Sequence, residues 1–361
     1  MQAKIPFYAK ASLIFIGLFA FVGMLHIAQL IIVPLIYSTI FAILLSPIVG
    51  FFTRKNMNRI LAISLTFLIV FCTLILFFFL LSSQFNIFAE TFPKLLERFY
   101  EALNTCAGWF SSHFHISTQK INTFVADTKT EIINSSRSAI ASTLSTVGSA
   151  LVILVLIPVY IFMILFYQPL LLEFIRRLFR NNNQEEVNEV LTSTKSIIQH
   201  YLVGLLLEAA IVATLNSVGL LILGIDYAIV LGIIGAIVNV IPYLGGIVAI
   251  ILPMMVAFVT KDSLSYTILV LLVYLFIQFI DNHYLIPKIV ASRVRLNALI
   301  SIIVVLAGNA LWGIPGMFLS IPLTAILKVI FDHIDTLKPW GFLLGDTVPY
   351  DNKIKVKIKH K

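Results

Sequence analysis

The sequence predicts an all-α, polytopic transmembrane helix bundle with two re-entrant helical hairpins that form an inverted repeat. Three observations predict it. Apolar residues fill 60% of the 361 positions and charged residues only 12%, against about 25% charged in an ordinary soluble domain. Long charge-free runs recur along nearly the whole chain, each close to the ~20 residues that cross a bilayer as a helix. Two further apolar stretches, 227–259 and 297–330, are too long for one ordinary span and too short for two, and each is broken at its centre by Pro and Gly.

The net charge of +8 does not make this a nucleic-acid binder. The basic residues sit in short loops and in the tail, at Lys353, Lys355, Lys357, Lys359 and Lys361. That placement fits the positive-inside rule and contact with anionic lipid headgroups. Cys72 lies in a span and Cys106 in a loop, so no disulfide framework is expected. Lys4 and Lys10 before the apolar stretch Ala11 to Val33 imitate a signal peptide. The stretch is too long for one and lacks a small-residue cleavage site, so it reads as a first, uncleaved span.

Spans 1 to 3 cover about residues 12–33, 35–52 and 60–82 and make residues 1–82 a scaffold. Arg54, Lys55 and Arg59 place the loop between spans 2 and 3 in the cytoplasm. Residues 83–146 form a polar extracytoplasmic loop whose basic and acidic residues balance. Within it, Phe88, Phe92, Leu95, Phe99 and Leu103 recur at three- and four-residue steps, the mark of an amphipathic helix. Residues 147–200 hold span 4, about 147–167, and interfacial helices over 170–200, with a stripe through Val187, Val190, Leu191, Thr194, Ile197, Ile198 and Tyr201. Span 5, about 201–223, opens a transport half, 201–331, and a basic cytoplasmic tail, 332–361, ends the chain. Both termini are expected in the cytoplasm.

Charges decide how 227–259 is threaded. Span 7, about 264–287, is followed by Lys288, Arg293 and Arg295. If 227–259 crossed once, these would lie outside; if it enters and leaves on the outer face, they lie inside. The same logic makes 297–330 a hairpin from the inner face. Span 5 with hairpin 227–259, and span 7 with hairpin 297–330, then become similar units of opposite orientation, a recurrent transporter design. Ordinary kinks in tilted helices are the competing reading of each break.

Polar residues divide the chain in the same place. The interiors of spans 1 to 4 carry no charge, whereas Glu208, Asn216, Asn239, Gln278, Asp281, Asn282, His283, Asn297 and Asn309 all follow residue 200. Polar groups at membrane depth are costly and mark pathways or buried contacts. Asn239 precedes the first break, with Pro242, Gly245 and Gly246, and Asn309 precedes the second, with Gly313, Pro315 and Gly316. With Gln278, Asp281 and Asn282 these are the expected solute or ion pathway. The plainer reading of any one Asn is an interhelical hydrogen bond worth about 0.6–2 kcal/mol. Glu208 and Asp281 each lie roughly 9–10 Å into their spans, at ~1.5 Å per residue, where they can share a proton or a cation. Exposure to headgroup water is the alternative for each. No metal-ligand spacing, catalytic constellation or cofactor motif stands out. The absence of a Walker motif argues against an ATP-driven pump, so no enzyme activity, metal or cofactor is expected.

Three motifs together resemble the autoinducer-2 exporter (AI-2E) family of bacterial permeases. They are Ile241-Pro242-Tyr243-Leu244-Gly245-Gly246, the run Gln278 to Ile289 reading QFIDNHYLIPKI, and Gly313-Ile314-Pro315-Gly316-Met317 continuing to Ile321-Pro322-Leu323. The resemblance implies a secondary permease of the bacterial inner membrane, exporting the furanosyl signal autoinducer-2 in some relatives and exchanging sodium for protons in others. It also implies a homo-oligomer, a pentamer, whose hairpin-bearing half moves against a scaffold. Ala291 and the segment Leu296-Asn297-Ala298 replace a usual Gly and Leu-His-Pro-like segment, and Asp281 stands where Glu is common. These departures bear on the substrate more than on fold or class. Three functions therefore compete: a secondary transporter of a small polar solute, a sodium or potassium/proton antiporter, and a non-transporting membrane scaffold that binds partners through its loops.

Overall fold

The structure, a computed structural model, describes residues 6–114, 155–179, 184–241, 245–261, 263–290 and 296–346. Among these, the chain is helical apart from turns and one isolated bridge between Leu296 and Gly345. The helices are α1 (Phe7–Ile27), α2 (Gln29–Arg54), α3 (Arg59–Phe114), α4 (Val155–Leu178), α5 (Gln184–Ile222), α6 (Ala228–Asn239), α7 (Gly245–Thr260), α8 (Leu264–Ile280), α9 (Ala298–His333) and α10 (Lys338–Leu344). A π-helical segment, Asp281–Val290, continues α8. Seven of these helices, α8 counted with its continuation, are long and apolar enough to cross a membrane.

Two elements run longer than the sequence pattern suggested. Span 3 and the start of the polar loop are one helix, α3, of 56 residues. Its stripe of Phe88, Phe92 and Leu95 packs on α6 and α7 in a buried cluster with Tyr227, Leu231 and Val256. Pro93 does not break α3 because that packing holds both sides of it. Span 5 and the stripe before it are also one helix, α5, of 39 residues. No Gly or Pro falls between Gln184 and Val203, so nothing interrupts helical hydrogen bonding where the surface turns from polar to apolar. The expected interfacial helices over 170–200 are thus the end of α4 and the first half of α5. Residues 115–146 of the expected loop, Arg293, Arg295 and the tail lysines lie outside the described residues.

Helix-interior prolines shape the packing. A proline lacks an N–H and leaves the carbonyl four residues back without its helical donor. Three such carbonyls recruit a side chain from another helix. Ile43, before Pro47, accepts from Gln199 Nε2 at 2.7 Å. Leu165, before Pro169, accepts from Arg59 Nε at 2.8 Å. Leu311, before Pro315, lies 2.9 Å from His26 Nδ1, a bond made by the Nδ1–H tautomer. Sequence-distant helices are pinned together at the points where one of them is weakened.

Both central breaks bring backbone close to backbone. Gly245, at the start of α7, lies so near Val238 and Asn239 that a Cβ there would stand 2.6 Å from the Asn239 Cα. In α9, Gly313 adopts φ 64° and ψ −144°, outside the helical range. Gly308 and Gly316 then meet backbone to backbone, where a Cβ on either would strike the other's carbonyl.

Candidate functional site

Four side chains from three elements converge in the C-terminal half. α5 presents Glu208, α6 ends on Asn239, α8 carries Gln278, and Asp281 opens the π-helical segment. Asn239 Nδ2 donates to Asp281 Oδ2 at 2.9 Å, and Gln278 Nε2 reaches the same oxygen at 3.5 Å. Asp281 Oδ1 has no donor among the described residues, and the Glu208 carboxyl stands within hydrogen-bond reach of Asp281. Both acids are buried, 5% exposed for Glu208 and 1% for Asp281. A π-helical turn is rare and concentrates at functional positions; this one begins on the acid.

These residues line a cavity of about 740 Å³ between α5, α6, α7, α8 and α9. Leu271, Tyr274, Gln278, Asp281, Asn282 and Ile286 mark its length along α8. At ~1.5 Å per residue it follows the helix for roughly 20 Å. The wall is mostly apolar, with Glu208, Asn239, Gln278, Asp281 and Asn282 as its main group of polar side chains. Gly246 also lines it. A Cβ there would run into the Gln278 carboxamide, so any side chain at this position would displace that group.

The predicted residues do not all meet. Glu208, Asn239, Gly246, Gln278, Asp281 and Asn282 line the cavity, and Gly245 supports the turn beside it. Pro242 lies outside the described residues. The second break is elsewhere: Asn309 is exposed, Gly316 is buried against Gly308, and the Pro315 carbonyl accepts from Tyr37 Oη at 3.1 Å. Pro315 borders a separate apolar hollow of about 400 Å³ with Val33, Tyr37, Ile157 and Trp312. Gly313 sets the turn there. Asn297 is a structural cap, its Oδ1 accepting from Ile300 N at 2.8 Å at the start of α9.

Both tyrosines of the cavity fall outside the expected pathway: Tyr201 reads as part of an amphipathic stripe, and Tyr274 is not singled out. Each stands seven residues before a buried acid, Tyr201 before Glu208 and Tyr274 before Asp281. Two helical turns return a side chain to nearly the same face, so that spacing was the available signal. Among the described residues, no group of three His, Cys, Asp or Glu side chains converges to hold a metal.

Chemically, two carboxyls in hydrogen-bond contact need a proton between them or a cation beside them, since like charges at that distance cannot both persist in a buried site. Set among membrane-length helices, this arrangement defines a multi-pass membrane transport protein.

The comparisons with known proteins agree. The family model described as "AI-2E family transporter" matches residues 13–336, and the chain belongs to that family. It is 25% identical to YrrI of Bacillus subtilis over 85% of this chain and 87% of that protein. It is 23% identical to YhhT of Escherichia coli K12 over 90% and 91%. Both names carry a provisional transport assignment. It is 24% identical over 89% and 91% to the AI-2 transport protein TqsA of Escherichia coli K12.

Proposed function

We propose that this chain is a secondary transporter of the bacterial inner membrane that moves a small polar solute through the cavity between α5 and α8. Glu208 and Asp281 exchange the coupling proton. The observation that carries the reading is the contact between these two buried acids in the wall of a cavity of about 740 Å³. Taking an isolated carboxylate out of water costs several kcal/mol even after relaxation. A non-transporting scaffold would have no use for that cost, which disfavours that alternative. An exported signal of the autoinducer-2 type is the first substrate to test, since a relative of matching length carries that name. The departures at Ala291 and Leu296-Asn297-Ala298 keep the solute open to a wider screen.

The proposal includes two re-entrant hairpins in opposite orientation. For 297–330, support comes from the ends of the segment. Asn297 Nδ2, just before α9, donates to the Gly345 carbonyl at 3.0 Å. A straight helix of 36 residues would hold its ends ~54 Å apart. For 227–259, Tyr227 packs on Phe88 and Phe258 on Phe99, so both ends meet the outer extension of α3. Cytoplasmic termini follow from this threading and from the positive-inside rule. A homo-oligomer is also proposed, a pentamer by family resemblance. In its favour, α1 has no buried residue and leaves its apolar surface for lipid or neighbouring protomers.

The antiporter reading draws on the same carboxyl pair. Purified protein in sealed vesicles, loaded with a bacterial metabolite extract and given a pH gradient, separates the two. Net movement of an organic solute, read by mass spectrometry, supports the transporter. Proton flux driven by sodium or potassium with no solute movement supports the antiporter. Neither flux supports the scaffold.

A further inference from the structure

The lining of the main cavity fits one chemical class of solute. Two buried carboxyls stand in its wall, yet no Lys, Arg or His is among the described residues that line it. Neither acid forms an ion pair among the described residues. Two carboxyls in contact that share one proton carry one net negative charge, and a buried charge is costly without a partner. The protein supplies carboxamides instead. Asn239 Nδ2 and Gln278 Nε2 both reach Asp281 Oδ2, at 2.9 Å and 3.5 Å. Asp281 Oδ1 has no donor among the described residues, although the residue is only 1% exposed. What completes the pair is a single positive charge that brings its own N–H donors.

A bare metal ion does not meet that description. Hard cations take a shell of oxygens, and here both carboxamides turn nitrogens toward the acid. An anion would meet two acids and no cation, and a neutral solute would leave the charge unbalanced. Beyond the pair the wall is mostly apolar. Leu275 and Leu271 stand six and ten residues before Asp281 on α8, ~9 and ~15 Å along the helix. Ile250 of α7 follows one turn after Gly246, which abuts the Gln278 carboxamide. Tyr201 and Tyr274 also line the cavity, and the faces of aromatic rings attract ammonium groups.

We propose that the cavity binds a monovalent organic amine, with its protonated amino group donating to Asp281 and Glu208 and an apolar body of several carbons lying along Leu275, Leu271 and Ile250. The ammonium and a second proton compete for the same negative charge. One R–NH3+ therefore enters as one H+ leaves, and the charge of the site is unchanged. The amine class rests on the transport reading above and narrows its solute.

Binding is the property to measure, because an uncharged amine crosses a bilayer unaided. Full-length protein in lipid nanodiscs is unfolded thermally at fixed pH and ionic strength with added hexylammonium chloride. Three matched probes accompany it. Hexan-1-ol has the same body without charge, sodium hexanoate has the opposite charge, and hexyltrimethylammonium chloride has a positive charge but no N–H. A ligand that binds only the folded state raises the midpoint in a saturable way. Hexylammonium should do so, and hexan-1-ol and hexanoate should not. Hexyltrimethylammonium should require at least about tenfold more, as for a lost hydrogen bond to a charged group. From butyl- to hexylammonium, the half-saturating concentration should fall about three- to fourfold per methylene. Asp281→Asn should raise it at least about tenfold. If Asp281→Asn does not fold, the ranking of the probes on the wild type decides alone. An equal rise with hexan-1-ol or hexyltrimethylammonium, any rise with hexanoate, or an Asp281→Asn titration that superimposes on the wild type overturns the amine class. A midpoint indifferent to hexylammonium also overturns it, and flux of another solute in vesicles would then leave the transport reading standing. A hexylammonium response in a protein that moves no solute or proton in vesicles keeps the amine site and ends the transport reading.

Discussion

Asn239 at the end of α6 donates a 2.9 Å hydrogen bond to Asp281 at the start of the π-helical segment, tying residues 42 apart in sequence. One oxygen of Asp281 is fixed by that bond, and the other has no donor among the described residues. The acid is therefore held from the side of the first break and open toward the helix that opposes it. This joins the two features that distinguish the C-terminal half, its interrupted backbone and its polar residues. A shift of α6 and α7 against α8 would change what Asp281 contacts.

Gly246 approaches the Gln278 carboxamide closely in the cavity wall. A Gly246→Val substitution should displace Gln278 and narrow the cavity while leaving the outer packing of α7 intact. Solute flux in vesicles should fall at least tenfold, equivalent to about 1.4 kcal/mol. The far-ultraviolet circular dichroism spectrum should be unchanged. Unaltered flux would show that the solute does not pass this point.

Arg59 takes the carbonyl that Pro169 leaves free at Leu165, and also donates to Gln168 Oε1 at 2.9 Å. Arg59→Met, which keeps much of the stem but no donor, should destabilise the protein by about 1–3 kcal/mol, the cost of an unmet polar group. Pro169→Ala restores a backbone donor to Leu165. In that background Arg59→Met should cost clearly less, and a double-mutant cycle of thermal unfolding measures the difference. Additive effects would mean that the two residues act independently.

Much of this was legible in the sequence. Apolar run length marked every membrane-length helix, and the lack of charge inside spans 1 to 4 set Glu208 and Asp281 apart as acids within apolar stretches. What periodicity could not reveal was continuity: α3 and α5 run through the change from apolar to polar surface because helical hydrogen bonding ignores side-chain polarity. Nor could a motif say which break faces the cavity. Asn239 and Asn309 look equivalent as text, but Asn239 meets a carboxylate and Asn309 is exposed. Tyr274 was passed over because a tyrosine in an apolar run reads as core.

The proposed threading predicts accessibility. Single cysteines at Asp226, Lys261, Ala298 and Asp346, in a chain with Cys72 and Cys106 replaced, would be probed on intact cells with a membrane-impermeant thiol reagent. Positions 226 and 261 should label from outside, and 298 and 346 only after the membrane is opened. External labelling at 298 would show that one of the two segments crosses the membrane, contrary to the opposed hairpins.

The proposed coupling requires Glu208 and Asp281 to share one exchangeable proton. Solute-dependent proton flux should therefore be measured with a pH-sensitive dye in sealed vesicles containing wild type, Glu208→Gln or Asp281→Asn. The wild type should couple solute movement to proton movement. Either substitution should abolish the proton signal, while solute continues to equilibrate down its own gradient in at least one of them. Proton flux that persists undiminished in Asp281→Asn would contradict a coupling proton held by this pair.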